Sequence, residues 1–334
     1  MRRWPAEFEK QRCIQVIFPH EQSAWSTYLD EACTCFVSII ESIRHYEPCV
    51  IVCDDRERVK RFFSCHDNLW FVTYRSDDTW ARDCSVICVE EEGEVVLLDF
   101  TFNGWGNKFE ATRDNAMNAA LRTHYRAAMH QVDFVLEGGS IESDGQGTLL
   151  TTAQCLLHPS RNPHYTQAAI EALLSRELGV QRFLWLHHGY LRGDDTDSHV
   201  DMLARFIDAR TIVYLQCDNT DDEHYEALGK MEQELKQFRT QQGKPYRLIA
   251  LPMTAPVYYE GARLPSSYAN FLMLNSAVMV PTYNDANDAR ALAIFKMLFP
   301  ERTVIGVDCS VLIRQHGSLH CISMQFCEKL AIMV

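Results

Sequence analysis

A pattern recurs along this chain: a helix-like stretch, then a short apolar strand, then two strands that read as a hairpin. Apolar residues at helical spacing predict helices over 113–129, 164–178, 221–240 and 285–299. The last should be capped by Asn284-Asp285 and stopped by Pro300. Strand candidates follow at 132–136, 183–186, 247–251 and 303–307. Hairpins are expected over 83–99, turning at Glu92-Gly93, and over 138–152, turning at Asp144-Gly145. Two more are expected over 199–216, near Asp208-Ala209, and over 268–282, near Asn275-Ser276. A fifth unit closes only if the strand after His320 pairs with the N-terminal strand at 14–18. The hairpins begin near 83, 137, 199, 268 and 320, a spacing of about 50–70 residues. The expectation is one closed α/β domain, residues 1–334, of five degenerate ββα-type units. An irregular α/β domain is the alternative.

Polar residues gather where each hairpin begins. Asp83 follows Trp80-Ala81-Arg82, Glu137 precedes Gly138-Gly139, and His199 and Asp201 lie in Asp195-Thr196-Asp197-Ser198-His199-Val200-Asp201. Cys321 follows His316-Gly317-Ser318-Leu319-His320. In a ring of repeats, equivalent positions converge, so these side chains could share one pocket. The set suits attack on a guanidinium carbon. Carboxylates bind that planar cation bidentately. A thiolate is a strong nucleophile for its central carbon. An imidazole can protonate the departing nitrogen and then activate water. Each piece has a plainer reading: Glu-Gly-Gly as a turn, His199 and Asp201 as a structural pair on one strand face, Cys321 as buried filler, Trp80-x-Arg82-Asp83 as a surface ion pair.

The net charge of −13 argues against a nucleic-acid binder, which needs a basic face. It suits a cationic substrate. No apolar run reaches the length of a membrane span, and the first ten residues do not read as a signal peptide. The thirteen cysteines show no Cys-x-x-Cys spacing and are expected to be reduced thiols in a cytoplasm. No metal and no cofactor are expected.

Taken together, Thr79-Trp80-Ala81-Arg82-Asp83, Phe102-Asn103-Gly104-Trp105-Gly106, Leu136-Glu137-Gly138-Gly139-Ser140-Ile141, Arg161-Asn162-Pro163, Asp195 through Asp201 and Ser318-Leu319-His320-Cys321-Ile322 resemble the agmatine deiminases of the bacterial peptidylarginine-deiminase family, within the guanidine-modifying superfamily. The resemblance runs in order from Phe8 to Gln325. It implies a five-bladed α/β propeller, the pentein fold, with pseudo-fivefold symmetry. It also implies roles. Cys321 would form a covalent amidino-thioether, and His199 would act as acid and then base. Asp83 and Asp201 would hold the guanidinium nitrogens, and Glu137 would bind substrate and support His199. Trp80 and Trp105 would pack against the substrate chain. The reaction would convert agmatine and water to N-carbamoylputrescine and ammonia, feeding putrescine and polyamine synthesis. A homodimer is the prior for such enzymes. Two departures stand out: Cys84-Ser85-Val86 after Asp83, where the family often has Gly-Pro, and Gln315-His316-Gly317-Ser318 where it often has a glycine run.

Other readings stay open. The enzyme could deiminate peptidyl or free arginine. A ureohydrolase would use Asp195, Asp197, His199 and Asp201, alternating along one strand face, to bind manganese. An amidinotransferase would pass the amidino group to an amine. A non-catalytic guanidine-binding module would bind without turnover.

Overall fold

The computed structural model describes residues 2–333. One topology recurs in it. An antiparallel hairpin is followed by a helix, and the strand after that helix pairs in parallel with the second hairpin strand. Strand Ile87–Glu91 pairs with Glu94–Thr101, and Ala128–Val135 adds in parallel beyond helix Thr112–Leu121. Ile141–Ser143 pairs with Thr148–Thr152, and Arg182–Leu186 adds after helix Gln167–Leu178. Ala204–Asp208, Thr211–Gln216, helix Tyr225–Gln237 and Arg247–Pro252 repeat the order. So do Leu272–Met273, Ala277–Thr282, helix Asp288–Leu298 and Thr303–Asp308. The fifth hairpin joins the chain ends. Ser323–Cys327 pairs antiparallel with Gln11–Ile17, as the sequence required, and Cys49–Cys53 follows helix Leu29–Arg44. Among the described residues the strands form six separate sheets, one a two-stranded hairpin of Tyr258–Tyr259 and Ala262–Arg263, and none closes on itself.

Local chemistry explains the turns. Glu92 and Gly93 both take positive φ, 53° and 92°, as a two-residue hairpin loop with right-handed strand twist demands. The Asp144 carboxylate accepts from the backbone N–H of Gln146 and Thr148, closing the next loop. Helix Gln167–Leu178 starts at Thr166, whose hydroxyl accepts from the Ala169 N–H, and ends on left-handed Gly179. Helix Leu29–Arg44 buries Ala32, Phe36, Ile39, Ile40 and Ile43, a stripe at helical spacing.

Three expectations need correction. The helix predicted over 113–129 stops at Leu121, because Ala128 is already paired with Val96 and the Arg126 N–H donates to the Ala331 carbonyl. Sheet pairing overrides the local period there. The helix predicted from 285 starts at Asp288, and Asn284-Asp285 does not cap it. Reduced thiols were expected throughout, but Cys88 and Cys327 form a disulfide with Cα atoms 5.9 Å apart, within the normal span of the bond. They are 239 residues apart in sequence, so no spacing could reveal the pair. The other described cysteines are free. Among the described residues no helix is long and apolar enough to cross a membrane.

Candidate active site

Asp83, Glu137, His199, Asp201 and Cys321 all stand shortly before the first strand of a hairpin, whereas Trp105 lies in Gly104–Asn107, after the strand Glu94–Thr101. Asp83 lies in the short helix Ala81–Cys84, ahead of Ile87–Glu91. Glu137 precedes a single turn, Gly138–Ser140, that leads into Ile141–Ser143. His199 precedes the turn Val200–Met202, which contains Asp201 and leads into Ala204–Asp208. Cys321 stands two residues before Ser323–Cys327. His199 and Asp201 therefore do not share a strand face; a 3-10 turn presents them. Glu137, His199 and Asp201 are fully buried, and Asp83 and Cys321 nearly so.

Gly139 marks where three of these side chains meet. A Cβ there would lie 2.7 Å from His199 Nδ1, 2.9 Å from Asp83 Oδ1 and 3.0 Å from Asp201 Oδ2. Asp83 is held from two sides: the Gly139 N–H donates to Oδ1 at 2.9 Å, and Trp105 Nε1 donates to Oδ2 at 2.9 Å. Asp201 Oδ2 accepts from His320 Nδ1 at 2.7 Å and lies 3.8 Å from Cys321 Sγ. His320 Nε2 meets Glu7 Oε2 at 2.6 Å. Two carboxylates can accept from both ring nitrogens only when each carries a hydrogen. Three buried atoms at the centre have no hydrogen-bond partner: both ring nitrogens of His199, and Asp201 Oδ1. Buried polar atoms left unpaired are costly, so this cluster is built to be completed by a bound ligand, and Asp201 Oδ1 in particular awaits a hydrogen-bond donor.

Burial and charge set the ionisation. Burial pulls the His199 imidazolium toward deprotonation, but the carboxylates of Asp83 and Glu137 and the Cys155 sulfur outweigh it, raising its pKa to about 10. Burial pushes the Cys321 thiol well up, and Asp201 and Asp83 push it further. Burial likewise raises Asp83. Asp201 is also buried, but the hydrogen bond and charge of the His320 ring hold it below the usual carboxylate range.

Cys321 opens onto a cavity of about 170 Å³, lined also by Asp78, Trp80, Asp83, Trp105, Phe109 and Asp195. Burial raises Asp78 to about 6, against hydrogen bonds from Thr79 and Trp80 that lower it. Trp80 donates to Asp78 at 3.1 Å and packs under Gly317, where a Cβ would lie 2.2 Å from its ring. Glycine at 317 is thus a requirement of the wall. The altered loop before Cys321 is tied down: His316 Nδ1 lies 2.7 Å from the Gly193 carbonyl, and Gln315 donates to Ala24 O and Tyr28 Oη.

The sequence reading passed over several residues here. Arg161 Nε donates to both oxygens of Glu137 at 2.9 Å, and its Nη1 to Asp197 at 2.7 Å. Cys155 sits with Glu137 and His199, one ligand atom from each within 4.8 Å of the others, a grouping that could hold a metal. The Arg161 guanidinium already supplies a cation to Glu137. The proposed manganese face is not formed. Residues 194–199 are loop, Asp197 and Ser198 have positive φ, and Asp197 pairs with Lys108 and Arg161.

The profile of the Porphyromonas-type peptidyl-arginine deiminase family matches residues 3–327. An agmatine deiminase of Pseudomonas aeruginosa strain LESB58 is 33% identical, over 97% of this chain and 95% of its own. A provisionally assigned arginine deiminase of Porphyromonas gingivalis has a solved structure 46% identical, with TM-score 0.96, covering 99% of this chain and 100% of that one. A cysteine-to-serine variant of C. jejuni agmatine deiminase with substrate bound is 38% identical, with TM-score 0.93, over 98% and 96% of the two chains.

Proposed function

Because the chain belongs to the Porphyromonas-type peptidyl-arginine deiminase family, we propose that it hydrolyses agmatine to N-carbamoylputrescine and ammonia, with Cys321 as nucleophile. One observation carries this reading: a thiol, an imidazole and two carboxylates converge on one buried point with three polar atoms unpaired. A guanidinium between Asp83 and Asp201 supplies the donor that Asp201 Oδ1 lacks and offsets the charge that keeps Cys321 protonated.

Cys321 gives up its proton to solvent as the guanidinium binds, and its Sγ forms a bond to the guanidinium carbon. The bond from that carbon to a terminal nitrogen breaks, and His199, protonated at neutral pH, gives that nitrogen its proton as ammonia leaves. His199, now neutral, takes a proton from water. The oxygen bonds to carbon, the C–S bond breaks, its electron pair returns to sulfur, the hydroxyl proton passes to solvent, and a neutral urea group remains on the product. Trp105 holds Asp83 by its N–H and walls the cavity with Trp80. Glu137, clamped by Arg161, raises the basicity of His199. The carboxylates of Asp78 and Asp195 at the cavity favour a terminal ammonium over the α-carboxylate of free arginine. Arginine is the second substrate to test, given the P. gingivalis relative.

The five larger sheets, each with the same hairpin–helix–strand order, support a five-bladed propeller in a single domain, with the site residues at its centre. The product would feed putrescine synthesis. The free cysteines favour a cytoplasmic setting, against which the Cys88–Cys327 disulfide weighs.

The experiment is ammonia and product release from agmatine, arginine and an arginyl peptide, with Cys321→Ser and a chelator-treated sample alongside. We expect N-carbamoylputrescine and ammonia, lost in the Ser variant and indifferent to chelator. Urea release, or activity that survives in Cys321→Ser, would overturn the reading.

A further inference from the structure

Four hairpins bring a charged or nucleophilic residue to the site, and the fifth brings a neutral one. Asn270 stands two residues before strand Leu272–Met273, the same offset at which Cys321 precedes Ser323–Cys327. It is fully buried. Its amide orientation is decided by its neighbours. One terminal atom lies 2.8 Å from the His320 backbone nitrogen and 3.4 Å from that of Cys321. Backbone N–H groups only donate, so this atom is Oδ1. The other is therefore Nδ2, and it lies 3.4 Å from the Asp201 carbonyl and 3.3 Å from Cys321 Sγ, which is 3.5 Å from Oδ1, so the amide can accept from the thiol and donate to the thiolate.

We propose that Asn270 is a further catalytic residue, whose Nδ2–H donates to the Cys321 sulfur when that sulfur is a thiolate. The inference rests on Cys321 being the nucleophile. A hydrogen-bond donor favours the anion over the thiol, and the effect is large in a dry site. It opposes Asp201, whose Oδ2 lies 3.8 Å from the same sulfur. Sulfur carries negative charge twice in the cycle: before it bonds to the guanidinium carbon, and after the C–S bond breaks and the electron pair returns to it. Between these it is a neutral thioether that accepts poorly. Asn270 therefore stabilises both ends of the covalent sequence and lets the enzyme be regenerated.

Asn270 also holds the backbone ahead of Cys321, so the test must separate the two roles. Asn270→Asp keeps Oδ1 for the His320 N–H and replaces the donor with an oxygen. Asn270→Ala removes both. The readout is iodoacetamide alkylation of Cys321 in the full-length protein from about pH 6 to about pH 10, followed on its own peptide by mass spectrometry. Thermal unfolding and agmatine kinetics run alongside. We expect both variants to alkylate about ten-fold more slowly near neutrality, with the midpoint displaced upward by about one pH unit or more. The Asp variant should be the worse, and kcat should fall more than KM changes. A folded Asp variant with the wild-type alkylation profile would overturn the proposal, leaving Asn270 a loop anchor. If Asp fails to fold, a folded Ala variant with the wild-type profile does the same. An Asn270-dependent profile in a protein that leaves agmatine intact would sink the substrate reading and keep this one.

Discussion

Two adjacent glycines separate what folding needs from what the site needs. At Gly138 a Cβ would lie 2.2 Å from the Arg82 carbonyl, a backbone atom that cannot move aside. At Gly139 it would meet only side-chain atoms, those of His199, Asp83 and Asp201. Gly139→Ala should therefore fold, because those side chains can shift, but it should displace all three from their common point. A misplacement of about 1 Å in such a site costs about 100-fold in rate. We expect kcat/KM for agmatine to fall by at least about that much, with a melting temperature close to wild type. Gly138→Ala should instead lose stability. Near-normal turnover in Gly139→Ala would mean that the three groups need not converge for chemistry.

Helix Thr112–Leu121 has a role beyond packing, through one buried acid. Asp114 is almost fully buried, and its carboxylate accepts from the backbone N–H of Asp77 at 2.7 Å and of Asp78 at 3.1 Å. It thereby anchors the loop that leads to Trp80 and Asp83. Burial pushes its pKa from 3.8 to about 8, the charges of Asp78 and Asp77 push it the same way, and the two backbone hydrogen bonds oppose them without prevailing. The folded pKa lies above the unfolded one, so the contribution to stability is full below about pH 4 and is lost as pH rises toward about 8. Asp114→Asn cannot ionise and keeps one acceptor oxygen. It should match wild type in thermal unfolding near pH 5 and gain about 1 kcal/mol or more near pH 8. An equal gap at both pH values would show that Asp114 does not titrate in this range. The same helix shows what the sequence could and could not convey. Its period was legible, but its end was not, because the pairing of Ala128 with Val96 depends on a strand from another part of the unit. The Glu92-Gly93 turn was legible because its backbone demand is local. The convergence of Asp83, Glu137, His199, Asp201 and Cys321 was legible because each stands a few residues before a hairpin. Asn270 has the offset of Cys321, yet it was missed: it carries no charge, and its following strand has only two residues.

At the scale of the molecule, the site rests on a charge network that no local pattern announces. Glu7, Arg205 and His320 come from the first, middle and last parts of the chain. Arg205 Nη2 donates to Glu7 Oε2 at 2.6 Å, and Arg205 Nε pairs with Glu142. Glu7 Oε2 also receives His320 Nε2, and Glu7 Oε1 accepts from the Met273 N–H at 2.9 Å. Burial opposes the Glu7 charge, but Arg205, His320 and Arg82 hold it well below the usual carboxylate range. The pairing of Ser323–Cys327 with Gln11–Ile17 brings the chain ends to this place. The joining of the chain ends and the orientation of Asp201 thus share one carboxylate. Removing one member of a buried ion cluster costs about 3–5 kcal/mol, because its partners are left charged and unpaired. Glu7→Gln should lower the unfolding free energy in urea by about that amount, in a single transition if the five units unfold together. At denaturant-free neutral pH, where the variant is still folded, kcat should fall as well, since His320 loses the acceptor that fixes its hold on Asp201. A variant as stable as wild type would show that Arg205, Glu142 and His320 satisfy one another without Glu7. A stable but slow variant would confine Glu7 to orienting the His320–Asp201 pair, and the joining of the chain ends would then rest on the strand pairing alone.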